Sequence, residues 1–168
     1  HLDYDAEIPV EKAYTAADKL TVEYDESYGM ALVQVEAADG SDLCAVYFFI
    51  EEADEDIVVP AGTYTIDDSW DYGTVLASTG LDAVAGQVAP SLYATCNEEG
   101  KLRLPMWFMV GGSVTVEKVD GKMKMEINAV NSYNQPIHIT YDGTATALEN
   151  VNVNVEGIRK QIVDGQLV

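Results

Sequence analysis

The dipeptide Asp120-Gly121, set between two alternating segments, restricts the fold of this chain more than any other feature. The stretch from Arg103 to Val130 runs RLPMWFMVGGSVTVEKVDGKMKMEINAV. An Asp-Gly pair suits a two-residue hairpin turn, because both central residues take positive φ. With that turn, Val119 faces Lys122, Glu117 faces Lys124, Val116 faces Met125 and Val114 faces Ile127. Val114, Val116, Met125 and Ile127 then share one face. Ser113, Thr115, Glu117, Lys124, Glu126 and Asn128 share the other. A slip of one residue would mix the two sets, so turn chemistry and burial pattern specify the same register.

The rest of the chain repeats this grammar. Residues 1–17 have no clear period and are broken by Pro9, which predicts a loosely held N-terminal arm or a short edge strand. Lys19 to Asp25 alternates, with Leu20, Val22 and Tyr24 on one side, and Met30 to Ala37 turns Ala31, Val33 and Val35 inward. Asp39-Gly40 marks the next turn. Leu43 to Ile50 is apolar on both sides of its pleat, the pattern of a strand covered on both faces. Pro60 precedes a strand from Thr63 to Ile66 and reads as an edge or a bulge, since proline cannot donate to a ladder. Brief strands follow at Thr74 to Ala77 and Ser91 to Thr95, separated by a surface excursion over 78–90. Pro136 to Ala147 alternates again, and the tail sets Val151, Val153 and Val155 among asparagines. About ten short strands without a convincing helix predict an all-β chain, a single-domain antiparallel β-sandwich or flattened barrel over 1–168.

Charge narrows the partners. Among 168 residues, 29 acids face nine bases, a formal net charge of -20. Such a field repels nucleic acid and anionic membrane, and it favours dispersal or attraction of basic partners. No apolar run reaches the ~20 residues of a spanning helix. The sequence opens at His1 rather than methionine and so reads as processed or trimmed, and its lack of an export signal or lipid-attachment cysteine carries no information. Cys44 and Cys96 are either separate core residues or one disulfide.

No catalytic arrangement stands out. Gly111-Gly112-Ser113 lacks the spacing of a nucleophile elbow and lies in a hairpin strand. His138 alternates with Ile137 and Ile139, which puts it on the polar face of its strand. No zinc set or phosphate loop occurs. Calcium is the one metal the sequence suggests. Asp54-x-Asp56 and Asp67-Asp68-x-x-Asp71 are oxygen-rich loops, but neither has the glycine and glutamate of an EF-hand, so an irregular site or plain solvation remain the two readings. Trp70 and Tyr72 lie beside Asp67, Asp68 and Asp71, and exposed aromatics next to carboxylates suit a glycan, peptide or basic protein surface. The competing reading folds Trp70 back over a sheet end. Trp107, flanked by Met106, Phe108 and Met109, reads as core.

PAGTYTI from Pro60, then GGSVTVEKVDGKMKMEINAV, then PIHITYDGTATA resemble a group of secreted or lipid-anchored β-domain proteins of Bacteroidetes, lipoproteins of unknown function. The earlier LTVEYDESYGMALVQVEAADG is similar to that group's opening hairpin, so the resemblance spans roughly residues 20–147. It implies export, to the periplasm or the outer cell surface, and a sandwich-like fold, and it brings no activity with it. The expectation is therefore a non-catalytic binding or interaction module. Its alternatives are a closed-barrel carrier of small apolar ligands and a carboxylate-based glycan hydrolase.

Overall fold

The computed structural model describes residues 5–78, 91–103, 106–145, 162–163 and 166–167. The expected surface excursion falls almost wholly outside these residues, as do the alternating valines of the tail. The chain is all-β, and no helix occurs among the described residues. It begins with β1 (Val10–Thr15), β2 (Lys19–Asp25), β3 (Met30–Glu36) and β4 (Asp42–Phe49). Then come β5 (Gly62–Asp67), β6 (Thr74–Leu76), β7 (Leu92–Thr95) and β8 (Trp107–Phe108). The strands β9 (Gly111–Val119), β10 (Lys122–Val130) and β11 (Pro136–Asp142) complete one curled, half-barrel sheet of eleven strands. Its path runs β1-β11-β10-β9-β5-β6-β4-β3-β2, with β7 on β4 and β8 on β7. A separate ladder pairs β12 (Ile162–Val163) with β13 (Gln166–Leu167).

The β9–β10 hairpin has the register its turn dictates. Val119 pairs with Lys122, Val116 with Met125 and Val114 with Ile127. Asp120 and Gly121 take φ of 52° and 75°. Val114, Val116, Met125 and Ile127 are buried, while Glu117, Glu126 and Asn128 are exposed. β4 is covered on both faces, as its apolar run requires. Cys44, Val46 and Phe48 enter the main core, and on the other face Leu43 packs with Leu92, Ala94, Phe108 and Met106. β7 takes the first half of β4 and β6 its end, and between them the Tyr47 amide donates to the Ser91 hydroxyl (3.2 Å). Burying side chains such as Ile127, Ile137, Ile139 and Phe48, all at 0% exposure, supplies about 1.5–3 kcal/mol each. Cys44 and Cys96 are both free and buried.

Two expectations need correction. The sheet is mixed, not antiparallel, because β1 runs parallel to β11 and β5 parallel to β6. Pro60 marks neither an edge nor a bulge within the strand: it precedes β5, which lies between β9 and β6. Of the two forms expected for the N-terminal segment, it takes that of an edge strand: β1 ends the sheet path beside β11, and Tyr14 is buried within the core. Two buried carboxylates tie it down. Asp5 accepts from the amides of Ala6, Phe108 and Ser132, the Asn131 side-chain amide and the Ser132 hydroxyl, at 2.6–3.2 Å. Asp42 accepts from the phenols of Tyr14 (2.7 Å, at Oδ1) and Tyr93 (2.8 Å, at Oδ2), and Lys12 Nζ lies 2.9 Å from the same Oδ2. A buried charge is tolerable only when its acceptor sites are filled in this way. Burial first, and then the bond to Asp42, push both phenols well above the ordinary tyrosine range.

On the outer face, His138 of β11 bridges its two neighbours. Its Nδ1 meets Glu11 of β1 and its Nε2 lies 2.8 Å from Glu126 of β10, with Asn128 directly opposite. Hydrogen bonds to Glu126 and then Glu11 raise its pKa. A raised folded-state value means stability fully present below the unfolded value of about 6.5, and lost as pH rises through the folded one. The ring is about a third exposed, so water screens the effect. The melting-temperature gap between wild type and His138→Gln is expected to be larger at about pH 5.5 than at about pH 9. A gap that does not change with pH would mean the imidazolium does not hold β1 to β11 and β10.

Candidate functional site

Loop 68–73 carries the two aromatics singled out by the sequence. It joins the parallel neighbours β5 and β6, a connection that ordinarily takes a dozen or more residues. It manages with fewer because β6 starts level with Thr65, short of the end of β5. Local bonds fix the path. The Asp67 carboxylate accepts from the Ser69 amide (3.1 Å) and hydroxyl (2.8 Å), and the Ser69 hydroxyl accepts from the Asp71 amide. Thr74 Oγ1 donates to the Asp71 carbonyl, and the Gly73 amide to the Phe49 carbonyl. Trp70 is left at φ 66°, a conformation uncommon for a bulky side chain and of a kind found where strain serves a site. Its indole leans on Phe49, ring centroids 5.1 Å apart at 35°, and remains 52% exposed. Tyr72 is 60% exposed.

Trp70 is thus neither folded fully back nor free of the sheet: one face rests on a sheet end while the rest meets solvent. Tyr72 reaches across to the β2–β3 turn. A Cβ on Gly29, itself at φ 63°, would come within 2.8 Å of the Tyr72 ring, so only glycine admits the crossing. The ring becomes a wall between two open clefts. One, of about 650 Å³, is lined by Tyr24, Glu26, Gly29, Glu51, Glu52 and Ala53 together with Tyr72. The other, about 320 Å³, shares Glu51, Glu52 and Tyr72 and adds Phe49, Ile50, Pro60, Tyr64 and Gly73. Asp68 and Asp71 are exposed and line neither, and Asp67 is engaged within its own loop. The carboxylates of the cleft are Glu26, Glu51 and Glu52, none of them among the residues singled out by the sequence. The missing signal was the β3–β4 register: Met30 opposite Phe49 puts the 26–29 turn and the chain after β4 at the same sheet end.

The expected calcium pair has a cation already. Lys118 of β9 places Nζ 3.1 Å and 3.2 Å from the two oxygens of Asp54 and 2.8 Å from Asp56. Asp54 also accepts from the amides of Asp56 (2.8 Å) and Ile57 (3.1 Å), and the turn closes through reciprocal backbone bonds between Asp54 and Val58. Those amides first, and then Lys118, lower the Asp54 pKa, while Asp56 and then Asp54 raise that of Lys118. Among the described residues no three histidine, cysteine or acidic side chains converge as a metal set. No helix among them is long and apolar enough to cross a membrane. No protein-family model matches the chain, and no curated protein or solved structure shows significant similarity to it.

An ammonium bound through two carboxylates competes with calcium for this loop. Millimolar calcium is expected to raise the wild-type melting temperature no more than sodium chloride of equal ionic strength. In Lys118→Ala the two carboxylates lose their cation, and calcium is expected to outperform sodium. A calcium-specific gain in the wild type would show that the metal displaces Lys118 or binds elsewhere.

Proposed function

We propose that the chain is an exported, non-catalytic binding module of the cell surface or periplasm, with its ligand platform at the Trp70–Tyr72 end of the sheet. Export is carried over from the resemblance to the Bacteroidetes group. The platform rests on one observation: two exposed aromatics held by one hydrogen-bonded loop, Trp70 at a strained φ and Tyr72 in the wall of a cleft lined by glutamates. Loops at strand ends on a rigid sheet are where binding residues concentrate. The ligand that suits this chemistry is a basic peptide or basic protein surface. Lysine and arginine gain from aromatic faces by cation–π attraction and from the carboxylates by charge. A neutral glycan is the next fit, through stacking on Trp70 and Tyr72.

The carrier alternative asks for an enclosed apolar chamber, whereas the core between the described strands is filled by side chains such as Ile127, Ile137 and Ile139. A specific observation favours keeping the hydrolase as second reading: Glu26, Glu51 and Glu52 share one cleft with Tyr24 and Tyr72. Release of reducing sugar from a glycan, abolished by Glu51→Gln or Glu52→Gln, would replace the binding reading with that one.

In a Trp107→Phe background, acrylamide is expected to quench the remaining indole strongly. Trp70→Ala is expected to change stability by less than about 1.5 kcal/mol, while weakening binding to arrayed basic peptides at least tenfold. A stability loss of about 3–5 kcal/mol, the scale of a core aromatic, would make the loop a structural plug. Undiminished array binding would place the ligand elsewhere.

A further inference from the structure

We propose that β2 is the seam of a homodimer, two copies pairing edge to edge and antiparallel about a two-fold axis through Val22. β2 ends the sheet path, and among the described residues no strand pairs with its outer side. An unpaired edge presents a row of backbone donors and acceptors, which pair readily with another strand. Its inward side chains border an open apolar groove of about 360 Å³, not covered by any of the described residues, where Leu20 and Val22 face Ile57, Val58, Met123 and Tyr141. A strand added to β2 lies along this groove.

The sequence of β2 says which strand fits. With the axis at Val22, all seven residues of KLTVEYD stay in the ladder. Lys19 faces the copy's Asp25, Leu20 its Tyr24, Thr21 its Glu23 and Val22 its Val22. Inward residues meet inward residues, as a continuous sheet requires, and each end carries an opposite-charge pair. Lys19 has no ion-pair partner among the described residues, although acids outnumber bases about threefold. Among the described residues the Asp25 carboxylate accepts only the Ser27 amide. The opposite edge is committed differently: on β1, Glu11 is taken by His138 and Lys12 by Asp42. This seam is separate from the Trp70 platform and stands or falls without it.

Sedimentation equilibrium of the whole chain at about 150 mM salt, where general repulsion between two acidic copies is screened, tests the register. The wild type is expected to show a monomer–dimer equilibrium in the range of roughly 10–100 μM, since one strand pair buries less than a stable interface. Lys19→Asp and Asp25→Lys each put like charges at both ends of the seam, and each is expected to weaken association about tenfold or more. Mixed together, the two single variants restore both pairs and are expected to form a heterodimer near wild-type strength. The Lys19→Asp/Asp25→Lys double variant is expected to do the same alone. Both positions are exposed, and thermal melts confirm that the variants fold. A wild type that stays monomeric to about 500 μM, dimers indifferent to the single swaps, or a mixture that fails to associate would each overturn the proposal.

Discussion

The carboxylate of Asp42 is the interaction on which the rest of the sheet's geometry depends. It opens β4, yet its donors come from β1 (Tyr14 and Lys12) and from β7 (Tyr93). A charge at 6% exposure is costly unless each acceptor position is filled, and removing a partner from such a set costs more than the pair supplied. β1 has one ladder partner, β11, at the far end of the sheet path from β2 and β3. The Asp42 bonds therefore join β1 directly to β4 and β7, strands with which it shares no ladder, and they hold the sheet in its curl. Asp5 makes a second such tie, drawing the chain before β1 onto β8 and the turn after β10.

The hairpins were legible because their information is local. Asp120-Gly121 fixes one register, and alternation fixes which face of β2, β3, β10 and β11 is inward. The two-faced apolar run of β4 likewise announced its place at the centre. What could not be read was long-range and polar. One aspartate among 29 acids looks like any other, and only the folded chain shows that Asp5 and Asp42 are buried acceptors while Asp39 is solvated. The parallel pairing of β1 with β11 joins residues such as Glu11 and His138, distant in sequence, and leaves no local signature.

The site divides along the same line. Loop 67–73 was legible as an aromatic, acidic loop, and the Asp67–Ser69 bonds are the kind that aspartate makes with its own following residues. Its cleft was not, because Glu26 and Glu51 meet only through the register of β2, β3 and β4. The calcium reading missed Lys118 for the same reason: the lysine approaches Asp54 and Asp56 from β9, which sequence spacing cannot show. With few bases in the chain, where each is used shapes the surface. Lys12, Lys118 and Lys124 are held in ion pairs within the described structure.

Amide hydrogen exchange in an Asp42→Asn variant tests the dependence on Asp42 most directly. Asparagine keeps the shape, but its amide group cannot accept from both phenols and the Lys12 ammonium together. The expected result is a loss of about 3 kcal/mol or more in stability, with the amides of Val10 to Thr15 losing protection first and the β9–β10 hairpin last. Unchanged melting together with wild-type protection across β1 would contradict the account, and would mean that the β1–β11 ladder alone holds the curled sheet.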